Sequence, residues 1–316
     1  MRLPFSPFVL LALTACGGSP PPAPAPTGPS TWAAVAPPAG NPPKLSAAKV
    51  YQVAHTGALP GVDALESTLA KLGLVADVGD EAEGRVIESQ GVRCSVQPTP
   101  KLGDDVLPSP KIEPEYARWG LTMAEAEQLA ASTTTAEISC KPSTSALLGA
   151  QVAIQVTGAV ASLTKGLVRD PAMGKWFAPA AWAPLWVEKH FAVTEHVRVD
   201  TTGDGPLRAL QTHGLRSFGR TELAIYPVAE ADAQALAARL MVLADSVLLE
   251  DAPAPGAASS LGPAKFVYLP PDVYDAHAPA GPRPPSTQDT LVLADPKGAL
   301  KSQAAVDALV RRLTAE

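Results

Sequence analysis

The stretch STSALLGAQVAIQVTGAVASLTKG, residues 143–166, decides what kind of protein this is. Residues 142–164 carry no charge, and a bilayer is crossed by roughly 20 apolar residues. The polar residues inside the stretch argue against a span. Gln151, Gln155 and Ser162 recur at helical spacing with Gly158 between them, a stripe that meets water. Leu148, Val152, Val156, Val160 and Leu163 are then free to face a core. The reading is a mostly buried core helix.

Working outward, the flanking sequence alternates between strand-like and helix-like patterns. AKVYQVAHTG predicts a strand, and LPGVDALESTLAKLG a helix with Leu65, Leu69 and Leu72 on one face and Gly73 as its stop. GRVIES and VRCSVQP are strands parted by a Gln90-Gly91 turn. Thr122 followed by Glu125 is a capping box that starts a helix. AEISCKP, with Cys140, is the next strand.

Beyond residue 166, GLVRDPAMGKWF predicts a hairpin around Asp170 to Gly174, and AAWAPLWVEKHF a helix from Pro184. Strands follow on either side of residues 202–205, then TELAIYPV and a long helix through EADAQALAARLMVLADSVLLED. Residues 252–263 look like a Pro/Ala/Gly linker, and residues 270–286 like a proline-rich loop between KFVYLP and TLVLADP. SQAAVDALVRRLTAE closes as a helix, with Arg311 and Arg312 at the negative end of its dipole. There is no regular βαβ repetition. The expected class is α+β: mixed or antiparallel sheets with packed helices, in subdomains 44–141 and 142–316.

The opening residues have a different character. Arg2 precedes an apolar run from Leu3 to Ala15 that is too short to span a membrane, the layout of a secretory signal over residues 1–15. Leu13, Thr14, Ala15 and Cys16 resemble the lipobox of bacterial lipoproteins. The resemblance implies cleavage before Cys16, acylation of its sulfur, and a partner in the lipid bilayer. In that family an Asp after the cysteine retains the protein in the inner membrane. Gly17 stands here, which points to the outer membrane if the host has one. Two or more acyl chains give lasting attachment where one does not. Residues 16–43 read as a disordered tether, since ten of the 25 residues from Ser19 to Pro43 are proline.

The chain has 316 residues and a net charge of −6, with 46% hydrophobic and 18% charged residues. Such a chain can bury a substantial core. Its acidity argues against nucleic acid as a partner, because phosphate backbones require a basic face. With Cys16 lipidated, Cys94 and Cys140 remain as one possible disulfide pair, closing a loop of about 45 residues and adding at most roughly 4 kcal/mol. Two buried thiols are the alternative. No His or Cys lies at zinc-ligand spacing from either, so no metal is expected there.

The most distinctive interior stretch is LQTHGLRSFGRTELAIYPV, residues 210–228. It resembles a Thr-His/Arg-Gly-x-x-x-Phe-Gly-x-x-Glu/Asp-Leu signature of bacterial domains of unknown function, a similarity extending over about residues 145–316. No activity follows from it. Physically, Gly214 and Gly219 bracket a tight excursion between strands and Phe218 plugs the core. Arg208, His213, Arg216 and Arg220 then form a candidate anion site, where Arg forks could grip a carboxylate or phosphate. The bland alternative pairs them with Glu222 and other acids.

Other motifs are weaker. Ser217 lacks the glycine two residues before it that a hydrolase elbow needs, since Leu215 is there. Asp200 to Gly205 starts like a calcium loop, but Gln211 stands where the closing Glu belongs. His190 and His196 fit no HExxH helix, and no P-loop or GxGxxG is present, so no cofactor is expected. Glu81 and Glu83 read as solvated, and Trp176, Trp182 and Trp186 as core rather than a sugar platform. The expected function is a non-catalytic binding module in the cell envelope, meeting an envelope protein or a small anion. The alternative is an envelope hydrolase or small-anion enzyme built on His213, Arg216 and Arg220.

Overall fold

The computed structural model describes residues 31–42, 49–142, 146–183, 185, 193–249, 252–286 and 289–315. Cys16, the signal-like segment before it and Trp186 lie outside the described residues. The elements run in this order. Helix α1 (Trp32–Val35) precedes strand β1 (Lys49–His55) and helix α2 (Val62–Lys71). Strands β2 (Asp77–Glu81), β3 (Gly84–Ser89) and β4 (Val92–Pro100) follow. Then come α3 (Glu113–Ala117), α4 (Met123–Ala131), β5 (Thr134–Pro142) and α5 (Ala146–Thr164). A hairpin of β6 (Leu167–Asp170) and β7 (Lys175–Phe177) leads into α6 (Pro179–Trp182).

The second half begins with β8 (Arg198–Thr202), β9 (Leu207–His213) and β10 (Glu222–Ala229). Helix α7 (Glu230–Leu249), strands β11 (Ala258–Leu261) and β12 (Ala264–Leu269), and helix α8 (Pro271–His277) come next. Strand β13 (Thr290–Ala294) and helix α9 (Gln303–Thr314) finish the chain.

The fold is α+β, built on two sheets. The first has strand order β2-β3-β4-β5-β1-β6-β7, with every neighbour antiparallel. The second has order β11-β12-β13-β10-β9-β8 and contains one parallel pair, β10 with β13. The first sheet extends past the expected boundary at residue 142. Helix α5 carries the chain from β5 across the sheet to β6, and both strands pair with β1 between them. The sheets therefore divide after α6, because β6 and β7 complete the edge beside β1.

Local signals fold as their chemistry dictates. Gln90 and Gly91 both have positive φ, 51° and 75°, and turn β3 into β4. Thr122 and Glu125 exchange backbone bonds in a complete capping box on α4. Gly73 takes φ 77° just past α2. Cys94 and Cys140 face each other across β4 and β5, buried and joined by a disulfide with Cα atoms 4.0 Å apart.

Helix α5 is buried on more than one side. It lies on β5, β1 and β4, while α2 packs against it with Leu65 and Leu69. Gln155, expected in water, is only 7% exposed, and its amide donates to the Leu72 carbonyl at 3.4 Å. Leu163, expected in the core, is 38% exposed in the last turn. The two-faced pattern fails because a second helix covers the polar stripe. Gln151 and Ser162 do meet water.

Three stretches read as linker or loop are structured. Trp32, inside the expected tether, is 2% exposed and packs on the second sheet. Residues 252–263 contain β11, which pairs with β12. The loop after β12 begins with α8, helped by Pro271 at its first position. In addition, α6 covers Pro179–Trp182, while the helix expected from Pro184, with His190, lies almost entirely outside the described residues. On the second sheet, α7 and α9 cover one face around Leu236, Leu240, Leu309 and Phe266. Trp32, Tyr226 and Tyr274 cover the other.

Candidate functional site

The Thr212-to-Leu223 motif is a structural device that can be derived residue by residue. Strand β9 must turn through a short 3₁₀ segment, Leu215–Phe218, into β10. Gly214 has φ 117°, and a Cβ there would sit 2.1 Å from the His196 carbonyl oxygen. Only glycine fits. Gly219 closes the turn at φ 66°, while Leu215 and Phe218 point inward and are fully buried.

Glu222 holds this turn from below. Its carboxylate accepts from the Thr212 hydroxyl at 2.8 Å and from the Gly214 and Arg216 amides at 3.0 and 3.1 Å. The Thr212 hydroxyl in turn accepts from the Leu223 amide at 2.8 Å. Burial pushes the Glu222 carboxyl above the usual range, and these hydrogen bonds pull it back. Thr212, Gly214, Phe218, Gly219 and Glu222 thus form one closed arrangement.

The four expected anion-binding residues do not converge. Arg208 and His213 stand at opposite ends of β9, roughly 16 Å apart at 3.3 Å per residue. Arg208 pairs with Glu230 at 2.6 Å. His213 Nε2 lies 3.4 Å from Asp200, which Arg198 also grips at 2.8 Å. Burial lowers the His213 pKa against the pull of Asp200. Arg216 pairs with Asp289 at 3.0 Å, and Arg220 donates to the Val247 carbonyl at 2.9 Å. In place of one cationic group there are four separate attachments.

The candidate site is instead a sealed polar cluster where the two sheets meet. Lys49 on β1 lies 3.1 Å from Asp170 at the end of β6, with exposures of 2% and 0%. The Lys49 ammonium is 4.8 Å from the ring centres of both Tyr51 and Phe218. The other Asp170 oxygen accepts from the Ala172 and Met173 amides at 2.9 and 3.2 Å. His196, entering from the second half, places Nδ1 3.2 Å from the Tyr51 hydroxyl and 3.9 Å from Asp170. Trp182 meets Tyr51 edge to face at 4.9 Å.

The electrostatics follow from enclosure. Burial works against the Asp170 carboxylate, but Lys49 and His196 outweigh it and hold the group below the usual range. Burial lowers Lys49 even with Asp170 beside it, lowers His196, and raises Tyr51 well above its ordinary value. Every member is buried, so the cluster joins sheets and presents no face to a solute.

Strand parity carried the missed signal. Lys49, Tyr51, Val53 and His55 share one face of β1, so a lysine at that phase must be buried with a partner. The calcium-like Asp200 is engaged by Arg198, and among the described residues no group of three or more potential ligands could hold a metal. Trp176 and Trp182 are core residues, and Glu81 pairs with Arg93. An open cleft of ≈ 270 Å³ lies between α2, α5 and α6, with Thr68, Leu72, Gly158, Ala161 and Trp182 in its walls. Searches of protein-family models, curated proteins and solved structures find no match for this chain.

Proposed function

We propose that this is a bacterial lipoprotein, held in the cell envelope by an acylated Cys16, whose two-sheet body is a binding or interaction module rather than an enzyme. The supporting observation is cysteine pairing. Of three cysteines in the chain, Cys94 and Cys140 are joined to each other in the core of the first sheet. A buried cross-strand disulfide suits an oxidising compartment. It leaves Cys16 as the one cysteine outside that pair, in the Leu13-Thr14-Ala15-Cys16 setting that resembles a lipobox. Gly17 favours the outer membrane where the host has one.

The preference for binding over hydrolysis comes from the cationic residues. His213, Arg216 and Arg220 each reach a different group, Asp200, Asp289 and the Val247 carbonyl respectively, rather than one shared point. An envelope protein or a small anionic ligand remains the proposed partner class. The test is membrane fractionation of a bacterial expression host with fatty-acid labelling. Wild-type protein should carry label and sediment with membranes, and Cys16→Ser should lose both. Membrane retention of the unlabelled variant would refute the anchor.

A further inference from the structure

The cleft between α2, α5 and α6 exists because α5 changes side-chain size along one stripe. Gln155 lies under α2 and donates to the Leu72 carbonyl at the end of that helix. Further along the same stripe stand Gly158 and Ser162, with Ala161 beside them. A glycine inside a helix costs stability relative to alanine, so its place needs a reason. The usual reason is close packing by a neighbour. Gly158 instead stays half-buried and lines the ≈ 270 Å³ cleft, so the space left by its missing side chain belongs to the cleft.

The walls divide by chemistry. Leu72, Pro179 and Ala183 give apolar sides, and the buried Trp182 closes the inner end. The Trp182 Nε1 donates to the Ile154 carbonyl at 3.1 Å, so the indole brings only its apolar surface to the cleft. Thr68 and Ser162 add hydroxyls, and Lys165 adds the charge. Lys165 follows α5 at φ 55°, and its carbonyl accepts from the Gln128 amide at 2.5 Å, which pins its backbone. Its side chain is exposed and makes no ion pair among the described residues.

Size and charge select the ligand. An apolar cavity of about 150 Å³ takes benzene, and pockets for drug-sized molecules begin near 300 Å³. Lys165 is the only charged residue lining the cleft among the described residues, which matches one negative charge rather than a phosphate or a dicarboxylate. Building on the binding reading above, we infer that this cleft takes a small apolar monocarboxylate. A ring or short alkyl chain lies against Leu72 and Gly158, and the carboxylate meets Lys165 and Ser162.

Fluorine NMR on the full-length protein in lipid nanodiscs tests this, with empty nanodiscs as the blank. The probes are 4-fluorophenylacetate and its uncharged amide, 4-fluorophenylacetamide. The acid should bind saturably and more tightly than the amide. Lys165→Asn removes the charge with a residue that tolerates positive φ. It should weaken the acid about fivefold and leave the amide unchanged, while Lys165→Arg retains the acid. Gly158→Ala puts a methyl group into the cleft and should weaken both probes, yet raise the Tm as alanine inside a helix does. No saturable binding of the acid overturns the site and leaves an envelope protein as the partner class. Binding that ignores both the Lys165→Asn and Gly158→Ala substitutions lies elsewhere, which overturns the cleft but keeps a small-anion partner. Hydrolysis of the amide to the acid overturns the non-catalytic reading, whatever the affinities show of the cleft.

Discussion

The Lys49 ammonium of the first sheet is bonded to Asp170 at 3.1 Å and lies against the Phe218 ring of the second sheet, 4.8 Å from its centre. One ion pair therefore sits at the seam between the two halves of the chain. Removing one partner leaves a buried charge uncompensated, which costs about 3–5 kcal/mol, whereas removing both is far milder. Lys49→Met and Asp170→Asn should each lower stability by about that amount, and the double variant by much less than the sum. Chemical denaturation of all four proteins measures the cycle. Strict additivity would show that the pair has no energetic coupling.

Acid should weaken the fold before its carboxylates protonate. His55, His196 and His213 all have lowered pKa values, with burial the leading cause at each. The unfolded chain takes up protons near pH 6.5, where the folded chain does not. Stability is thus complete above about pH 6.5 and declines as pH falls below it. Glu222 acts in the opposite sense, since burial raises its carboxyl and protonation toward pH 4.5 favours the folded form. Asp170, held below 3.8, contributes stability that is lost only at still lower pH. The Tm should fall between about pH 7 and 5.5, and His196→Gln should flatten that slope. An unchanged slope would remove His196 from the response.

Gly214 and Gly205 separate two costs. Both have positive φ, 117° and 97°, but a Cβ at Gly205 meets nothing within 4 Å. Gly205→Ala should therefore cost only backbone strain, about 1–2 kcal/mol. Gly214→Ala adds collision with the His196 backbone, which is itself fixed at the seam, and should exceed 3 kcal/mol or abolish folding. Thermal melts of the two variants decide it, and equal losses would show that the loop yields.

What could be read from the residues alone was the local chemistry. Thr122 with Glu125, Gln90 with Gly91 and Gly73 after α2 need only their near neighbours, and each folds as its sequence implies. Gly214, Gly219 and Phe218 were legible for the same reason. Trp32 was not, because a proline-rich context says nothing about a tyrosine 242 positions later. Gln155 reads as a wet position in the sequence, yet α2 covers the stripe that holds it. The four basic residues were expected together because they are close in sequence. Strand β9 holds Arg208 and His213 at its two ends, and nearby acids take most of the rest.

The position of β1 in its sheet has a consequence in time. It is the earliest described strand of the chain, yet its hydrogen-bonded neighbours are residues 134–140 and 167–169. Pairing with β5 waits for about 80 further residues and pairing with β6 for about 112, and such long-range pairing folds slowly. A polypeptide whose interior strand has to wait this long stays open in the meantime. On the lipoprotein reading proposed above, that delay keeps the chain open during passage across a membrane.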